Sequence, residues 1–365
     1  MSVPLLDLNA QYAPIESAVK AAVDSVFTTK QFIMGPQINE LESKIADYCD
    51  CAHAIGVSSG TDALLLALMA LDIGPGDEVI TTPFTFFATA GSIARVGATP
   101  VFVDIDNTFN LDVTQLESKI TANTKAIMPV HLFGQPVDME SVNGIAGKYN
   151  LHVIEDAAQA IGSTFNNQKV GSLGTVGCFS FFPSKNLGTC GDGGIVTTND
   201  DELADKMRLL RTHGESPKYY HHLIGGNFRL DTIHAAVLLQ KLPLLDNQHD
   251  SRIKNAQYYY NHLQKLPITL PKIGPNKKMI FNQFSILCDQ RDALLAHLHA
   301  HHIGAAIYYP VPLHLQECFK PLQYKIGDFP IAEKTAQSIL SIPIYSELTD
   351  HQKQTVCETI TSFFS

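Results

Sequence analysis

The chain has 365 residues, 45% hydrophobic and 17% charged, with a formal net charge of −10. That composition suits a globular enzyme and excludes a disordered tract. Neither the net charge nor the scattered basic residues offers a footprint for nucleic acid or an anionic membrane. No apolar run approaches the 18 or so residues of a membrane span, and "MSVPLLDLNAQY" lacks the basic and apolar regions of a signal peptide. Seven scattered cysteines, an odd number, read as free thiols and point to a reducing cytoplasm.

In chain order, "APIESAVKAAVDSVF" and "INELESKIADYCD" have helical spacing on either side of the Gly35-Pro36 break. "HAIGVSS" reads as a strand. It runs into "SGTDALLLALMALDIGPGD", a turn, an apolar helix and a Gly-Pro-Gly-Asp stop. "EVITTP", "TPVFVDI", "TKAIMPVHLFG" and "LHVIEDA" read as further strands, with helical patterns such as "DMESVNGIAGKYN" between them. This alternation predicts an α/β fold, a mostly parallel sheet covered on both faces. "MIFNQFSILC", "RDALLAHLHAHHIG" and "DHQKQTVCETITSFF" predict a smaller C-terminal α/β unit. The expected division is a large domain over 1–250 and a small domain over 251–365.

Ligands of open α/β sheets sit beyond the carboxyl ends of the strands, and the reactive residues fall there. "SSGTDAL" follows a strand and opens a helix, so the free N–H groups of its first turn favour an anion such as phosphate; a plain helix cap is the competing reading. "GSLGTVG" lacks the spacing of a dinucleotide fingerprint. Asp156 ends an apolar strand, and Lys185 lies in the glycine-rich "FFPSKNLGTCGDGG". Burial raises the pKa of a carboxylate and lowers that of a lysine, as an imine-forming amine requires. Taken singly, Asp156 could be a helix cap and Lys185 a surface lysine. A phosphate cradle, a carboxylate and an imine-forming lysine together are what pyridoxal phosphate asks for. "HH" at 221–222, "HAHH" at 299–302 and Cys49-Asp-Cys51 lack partners at metal-ligand spacing, and no metal site is expected.

"SGTDAL", "PFTFFATA", "PVHLFGQPVDM", "VIEDAAQAIG", "FSFFPSKNLGTCGDGG", "KYYHHLIGGNFRLDTIHAA" and "YYPVPLHLQ", in this order over residues 4 to 350, resemble the signatures of the DegT/DnrJ/EryC/StrS-type nucleotide-sugar aminotransferases. The resemblance implies the pyridoxal-phosphate-dependent transferase fold of type I and a homodimer with shared sites. It implies transfer of an amino group, with glutamate the expected donor, to a 3-keto or 4-keto sugar linked to dTDP or UDP. It makes Lys185 the imine-forming lysine and Asp156 the partner of the pyridinium nitrogen. Phe86 would stack on the ring in preference to Phe87, and Gln159 would meet the ring hydroxyl. Ser180 and the backbone of Gly60, Thr61 and Asp62 would cradle the phosphate, and Asn227 would reach it from the partner subunit. Arg229, Tyr308, Tyr309 and His314 would face the substrate.

Only Arg291 follows residue 252 among arginines, which argues against the small-domain carboxylate clamp of amino-acid transaminases. Asn282 and His234 stand where a His and a Gln are frequent in the family. Two other readings share this fold: a dehydratase, which would carry a histidine in place of Lys185, and a non-catalytic nucleotide-sugar-binding regulator, which would tolerate loss of Lys185 or Asp156. A nicotinamide-linked dehydrogenase would need the missing glycine fingerprint.

Overall fold

The computed structural model describes residues 2–365. The segments with helical spacing form α1 (Glu16–Thr29) and α2 (Pro36–Cys49); Pro36 sits in the first turn of α2, where its missing N–H costs nothing. Strands β1 (His53–Val57), β2 (Glu78–Thr81), β3 (Thr99–Phe102), β4 (Thr124–Ile127), β5 (His152–Asp156), β6 (Val176–Ser180) and β7 (Gly194–Thr198) make one sheet in the order β1-β7-β6-β5-β4-β2-β3. Pairing is parallel from β3 through β2, β4 and β5 to β6, while β7 runs antiparallel between β6 and β1. The expected mostly parallel sheet is present, with β6 and β7 as strands that the motif reading did not single out.

Helices α3 (Gly60–Ala70), α4 (Ala88–Arg95), α5 (Met139–Tyr149), α6 (Asp201–Arg211) and α7 (Thr232–Lys241) cover the two faces. α3 is apolar almost all round and is buried over Ala63–Leu68, as a helix hydrophobic on every side must be. α7 buries Ala235, Ala236, Val237, Leu238 and Leu239 and packs on α1 and α2 of its own chain. Its apolar positions are therefore accounted for within one protomer.

α8 (Leu245–Leu263) is one unbroken helix with residue 250 in its first half. Leu245 at its start belongs to the core formed with α2 and α7, whereas Ala256, Tyr259 and Leu263 belong to the core of the C-terminal part. β8 (Phe284–Leu287) and β9 (Ile339–Ile342) pair antiparallel, with α9 (Arg291–Ala300), α10 (Pro330–Ser338) and α11 (Asp350–Phe363) around them. This part does not close a core of its own. Phe281, Phe284 and Ile342 share one cluster with Phe84, Phe102 and Phe133 of the N-terminal part. Each such side chain, when fully buried, contributes about 1.5–3 kcal/mol, so the two parts are joined by apolar packing as well as by the chain. Among the described residues no helix is long and apolar enough to cross a membrane.

Candidate active site

The sheet delivers five segments to one edge. The chain leaves β1 into Ser58–Gly60, β2 into Thr82–Phe87, β4 into Val130–His131, β5 at Asp156 and β6 at Ser180; the loop 181–193 then returns to β7. They enclose a cavity of about 460 Å³, whose lining includes Gly60, Thr61, Phe86, Asp156, Gln159, Ser180, Lys185, Tyr308 and Tyr309. That size lies within the usual range for small-molecule sites.

Ser59 caps α3 by accepting the Asp62 N–H at 3.0 Å, and the Ala63 N–H donates to the Ser59 carbonyl. The amides of Gly60 and Thr61 are thus the ones left to face an anion. Gly60 is required by space as well: a Cβ there would stand 2.6 Å from Cβ of Ser180. Asp62 departs from the expectation. Its amide is engaged by Ser59, its carboxylate accepts from the hydroxyls of Ser58 (2.6 Å) and Ser59 (2.9 Å), and it does not line the cavity. It secures the cap.

Asp156 is buried, and burial pushes its carboxyl above the usual range. Its opposing partners are the Thr89 hydroxyl, donating at 2.7 Å, the Ala158 N–H at 3.2 Å, and the charge of Lys185. Lys185 is partly buried at the cavity wall. Burial lowers its amine to about 8, with Asp156 pulling the other way. About a quarter of such amines are neutral at pH 7.5, against about one in a thousand for an ordinary lysine. The amine is poised for nucleophilic and proton-transfer work.

Gln159 is fixed in orientation. Its Oε1 accepts the Phe133 N–H at 2.7 Å, so its Nε2 must be the atom that donates to the Tyr309 hydroxyl at 3.2 Å. The second Nε2–H and the Tyr309 O–H remain for a ligand. Phe86 lies on the cavity wall with its ring tilted over Tyr309 at 6.2 Å. Phe87 turns away, packing on Phe319 at 5.8 Å.

Motif reading missed His131 and Thr89, which lie in other segments from Asp156 and are joined to its surroundings only by the fold. His131 lines the cavity. Its Nδ1 accepts the Val137 N–H at 3.1 Å, so its proton sits on Nε2 and points to Glu155 at 2.9 Å. Glu155, fully buried, also accepts the amides of Gly171, Leu173 and Gly174. This shell fixes the orientation of the ring beside Asp156.

Three further expected residues lie off the cavity. His314 is buried away from it, with Nε2 3.1 Å from Glu333 and its ring 4.7 Å from Phe329. Burial lowers its pKa against the pull of Glu333. It does not line this chain's cavity. Asn227 is exposed and bridges Thr212; Arg229 bridges Val57 through its backbone, with a buried Nε that has no partner within the chain. Neither lines this chain's own cavity. Asn282 does, and its amide donates to Asn186 at 2.8 Å; His234 packs its ring against Gly191. Arg291 donates to the Ala336 and Ile339 carbonyls and takes no part in the cavity. Among the described residues no group of three or more metal-ligating side chains occurs.

The sequence model of the DegT/DnrJ/EryC1/StrS aminotransferase family matches residues 14–361. A pleiotropic regulatory protein of Geobacillus stearothermophilus is 50% identical, over 100% of this chain and 99% of its own length. A UDP-N-acetyl-3-dehydro-alpha-D-glucosamine 3-aminotransferase of Acidithiobacillus ferrooxidans is 46% identical, over 96% of this chain and 95% of its own. The crystal structure of DesV from S. venezuelae in complex with a ketimine intermediate superposes with a TM-score of 0.98 at 40% identity, over 100% of this chain and 99% of that one. The chain belongs to the DegT/DnrJ/EryC1/StrS aminotransferase family, and it is a pyridoxal-phosphate-dependent transferase of that fold.

Proposed function

We propose that the cavity holds pyridoxal phosphate and moves an amino group from L-glutamate to a keto sugar carried on UDP or dTDP, at its third or fourth carbon. The observation that carries this is the meeting, in one cavity, of a lysine amine lowered to about 8, a buried carboxylate and a glycine-lined helix start. The donor set fits the cofactor at each point. The Gly60 and Thr61 amides and the Ser180 hydroxyl suit its phosphate, Gln159 its ring hydroxyl, Phe86 its ring face, and Asp156 its ring nitrogen.

When bound, the cofactor supplies an aldehyde that forms imines and a ring that accepts electrons. Asp156 holds the proton on the ring nitrogen, because an opposite charge in contact favours the protonated form. Lys185 would hold the cofactor through its amine, and that amine, once freed by the donor, would serve as the base and acid that carries the proton leaving the donor's α-carbon. Both half-reactions use the same amine, so ping-pong kinetics are expected.

Asn227 and Arg229 support a shared site in a homodimer. They are displayed outside their own cavity, and the same surface exposes Tyr219, Tyr220 and Ile224. Arg229, with its unpaired Nε, and Tyr308 and Tyr309 are the substrate-facing candidates. The reducing cytoplasm is the proposed compartment, consistent with seven free thiols.

A regulator of the same fold is the second reading, favoured by the name of the 50% identical relative. Incubation of the purified protein with pyridoxal phosphate, glutamate and a panel of UDP- and dTDP-linked keto sugars separates the two. A UDP-linked 3-keto N-acetyl sugar heads the panel, as the relative at 46% identity acts on one. Amino-sugar product, lost in Lys185→Ala, is the expected result. Absence of product from every acceptor, with cofactor bound, would leave the regulatory reading.

A further inference from the structure

We propose that Lys241 is a positioning residue for Lys185: its buried ammonium, at the end of α7, holds the Gly188 carbonyl and with it the turn that carries the Lys185 side chain. The inference rests on the reading of Lys185 given above. Lys241 is 1% exposed. Its Nζ donates to the Gly188 carbonyl at 2.5 Å and to Oε1 of Gln11 at 3.0 Å, and it lies 4.7 Å from the ring centre of Tyr12.

From Gly188 the contact reaches Lys185 through the Phe182 carbonyl. A Cβ on Gly188 would meet the Pro183 carbonyl oxygen at 2.5 Å and that of Phe182 at 2.8 Å. The Lys185 N–H donates to that same Phe182 carbonyl at 2.8 Å, and the Thr189 N–H to Phe181 at 2.8 Å. The loop is thus folded back on itself, with Gly188 packed on the turn before Lys185. A second tie comes from the same helix: the Thr189 hydroxyl donates to the His234 carbonyl at 3.2 Å. The two ends of α7 therefore grip the loop at Gly188 and Thr189.

Core filling does not explain a lysine here. A buried ammonium without a hydrogen-bonded carboxylate is unfavourable, and burial lowers this one to about 8 against the pull of Glu347 and Cys190. Methionine would fill the space without that penalty. What only the ammonium supplies is a charge-assisted donor to a loop carbonyl, placed at a helix C-terminus where a cation is favoured.

The test compares Lys241→Met with wild type, read first by hydrogen exchange in the cofactor-free protein. Loss of one charge-assisted hydrogen bond is expected to speed exchange of the Lys185 and Thr189 amides by about tenfold or more, with β5 and β6 unchanged. In the holoenzyme, the rate of the half-reaction with glutamate is expected to fall by about tenfold while its KM stays constant. Gln11→Leu keeps the Gly188 contact and is expected to leave loop exchange as in wild type. Unchanged loop exchange in Lys241→Met, acceleration spread evenly over the sheet, or a loosened loop with a normal rate would each overturn the proposal. If Lys241→Met does not fold, Lys241→Leu, which likewise has no donor, is read by the same criteria. Full activity in Lys185→Ala would instead overturn the reading of Lys185, leaving the exchange result intact.

Discussion

Replacing Lys185 by methionine is expected to stabilise the cofactor-free protein while it abolishes transamination. Burial takes the amine from its ordinary 10.5 to about 8, and at about 1.4 kcal/mol per tenfold this corresponds to about 3 kcal/mol. The part of the side chain that still faces the open cavity trims it to about 2 kcal/mol. The sign follows from proton counting. Below pH 8 folded and unfolded chains both carry the proton, and the cost of burying the charge is constant. Between pH 8 and 10.5 only the unfolded chain binds it, so wild-type stability rises with pH relative to a variant lacking the amine. The advantage of Lys185→Met is therefore full at pH 7 and closes towards pH 10.5. Urea midpoints of the two apoproteins at pH 7, 8.5 and 10 measure it. An equal midpoint at pH 7, or a gap that does not narrow with pH, would refute the claim that Lys185 is held against its preferred charge state.

Asp156→Asn keeps the shape of the site but removes the charge facing the ring nitrogen; cofactor is expected to bind while the single-turnover rate with glutamate falls by about a hundredfold or more. An unchanged rate would count against the assignment. Gly60→Ala places a methyl group 2.6 Å from Cβ of Ser180, and a pyridoxal phosphate Kd raised by about tenfold is the expected result of that crowding in a titration of the apoprotein. Mixing Lys185→Ala with Asn227→Asp chains, each inactive, tests the shared site: in a mixed dimer one site carries both lesions and the other none, so random exchange restores about a quarter of wild-type activity. No recovery after verified exchange would remove Asn227 from the partner's site.

What the sequence shows best is what lies close together along it. Asp156 ends a strand of four buried residues, Lys185 sits in a loop of small residues, and each segment carries its own pattern. Thr89 and His131 act on Asp156 and its neighbour from separate loops, and no local pattern marks a threonine on α4 or a histidine after β4 as a partner of β5. His314 shows the reverse failure. "YYPVPLHLQ" has no periodicity that tells which side chains face inwards, and only packing against Phe329 and Glu333 turns this one from the cavity. The sheet was legible as alternation, whereas the antiparallel β7 was hidden, since strand direction depends on where the loop 181–193 returns. The packing of the C-terminal part was not legible either: Phe84 and Phe133, far away in sequence, complete its core.

The helix Leu245–Leu263 has a practical meaning for anyone wishing to graft the C-terminal part of one relative onto the body of another. Severing it at residue 250 would strand the carbonyls and amides of two new ends, each set without partners. The stub of a few residues on the N-terminal side would be too short to hold its form in water. Chimaeras joined in the turn at 242–244, so that the whole helix travels with its Tyr259 face, keep that element whole.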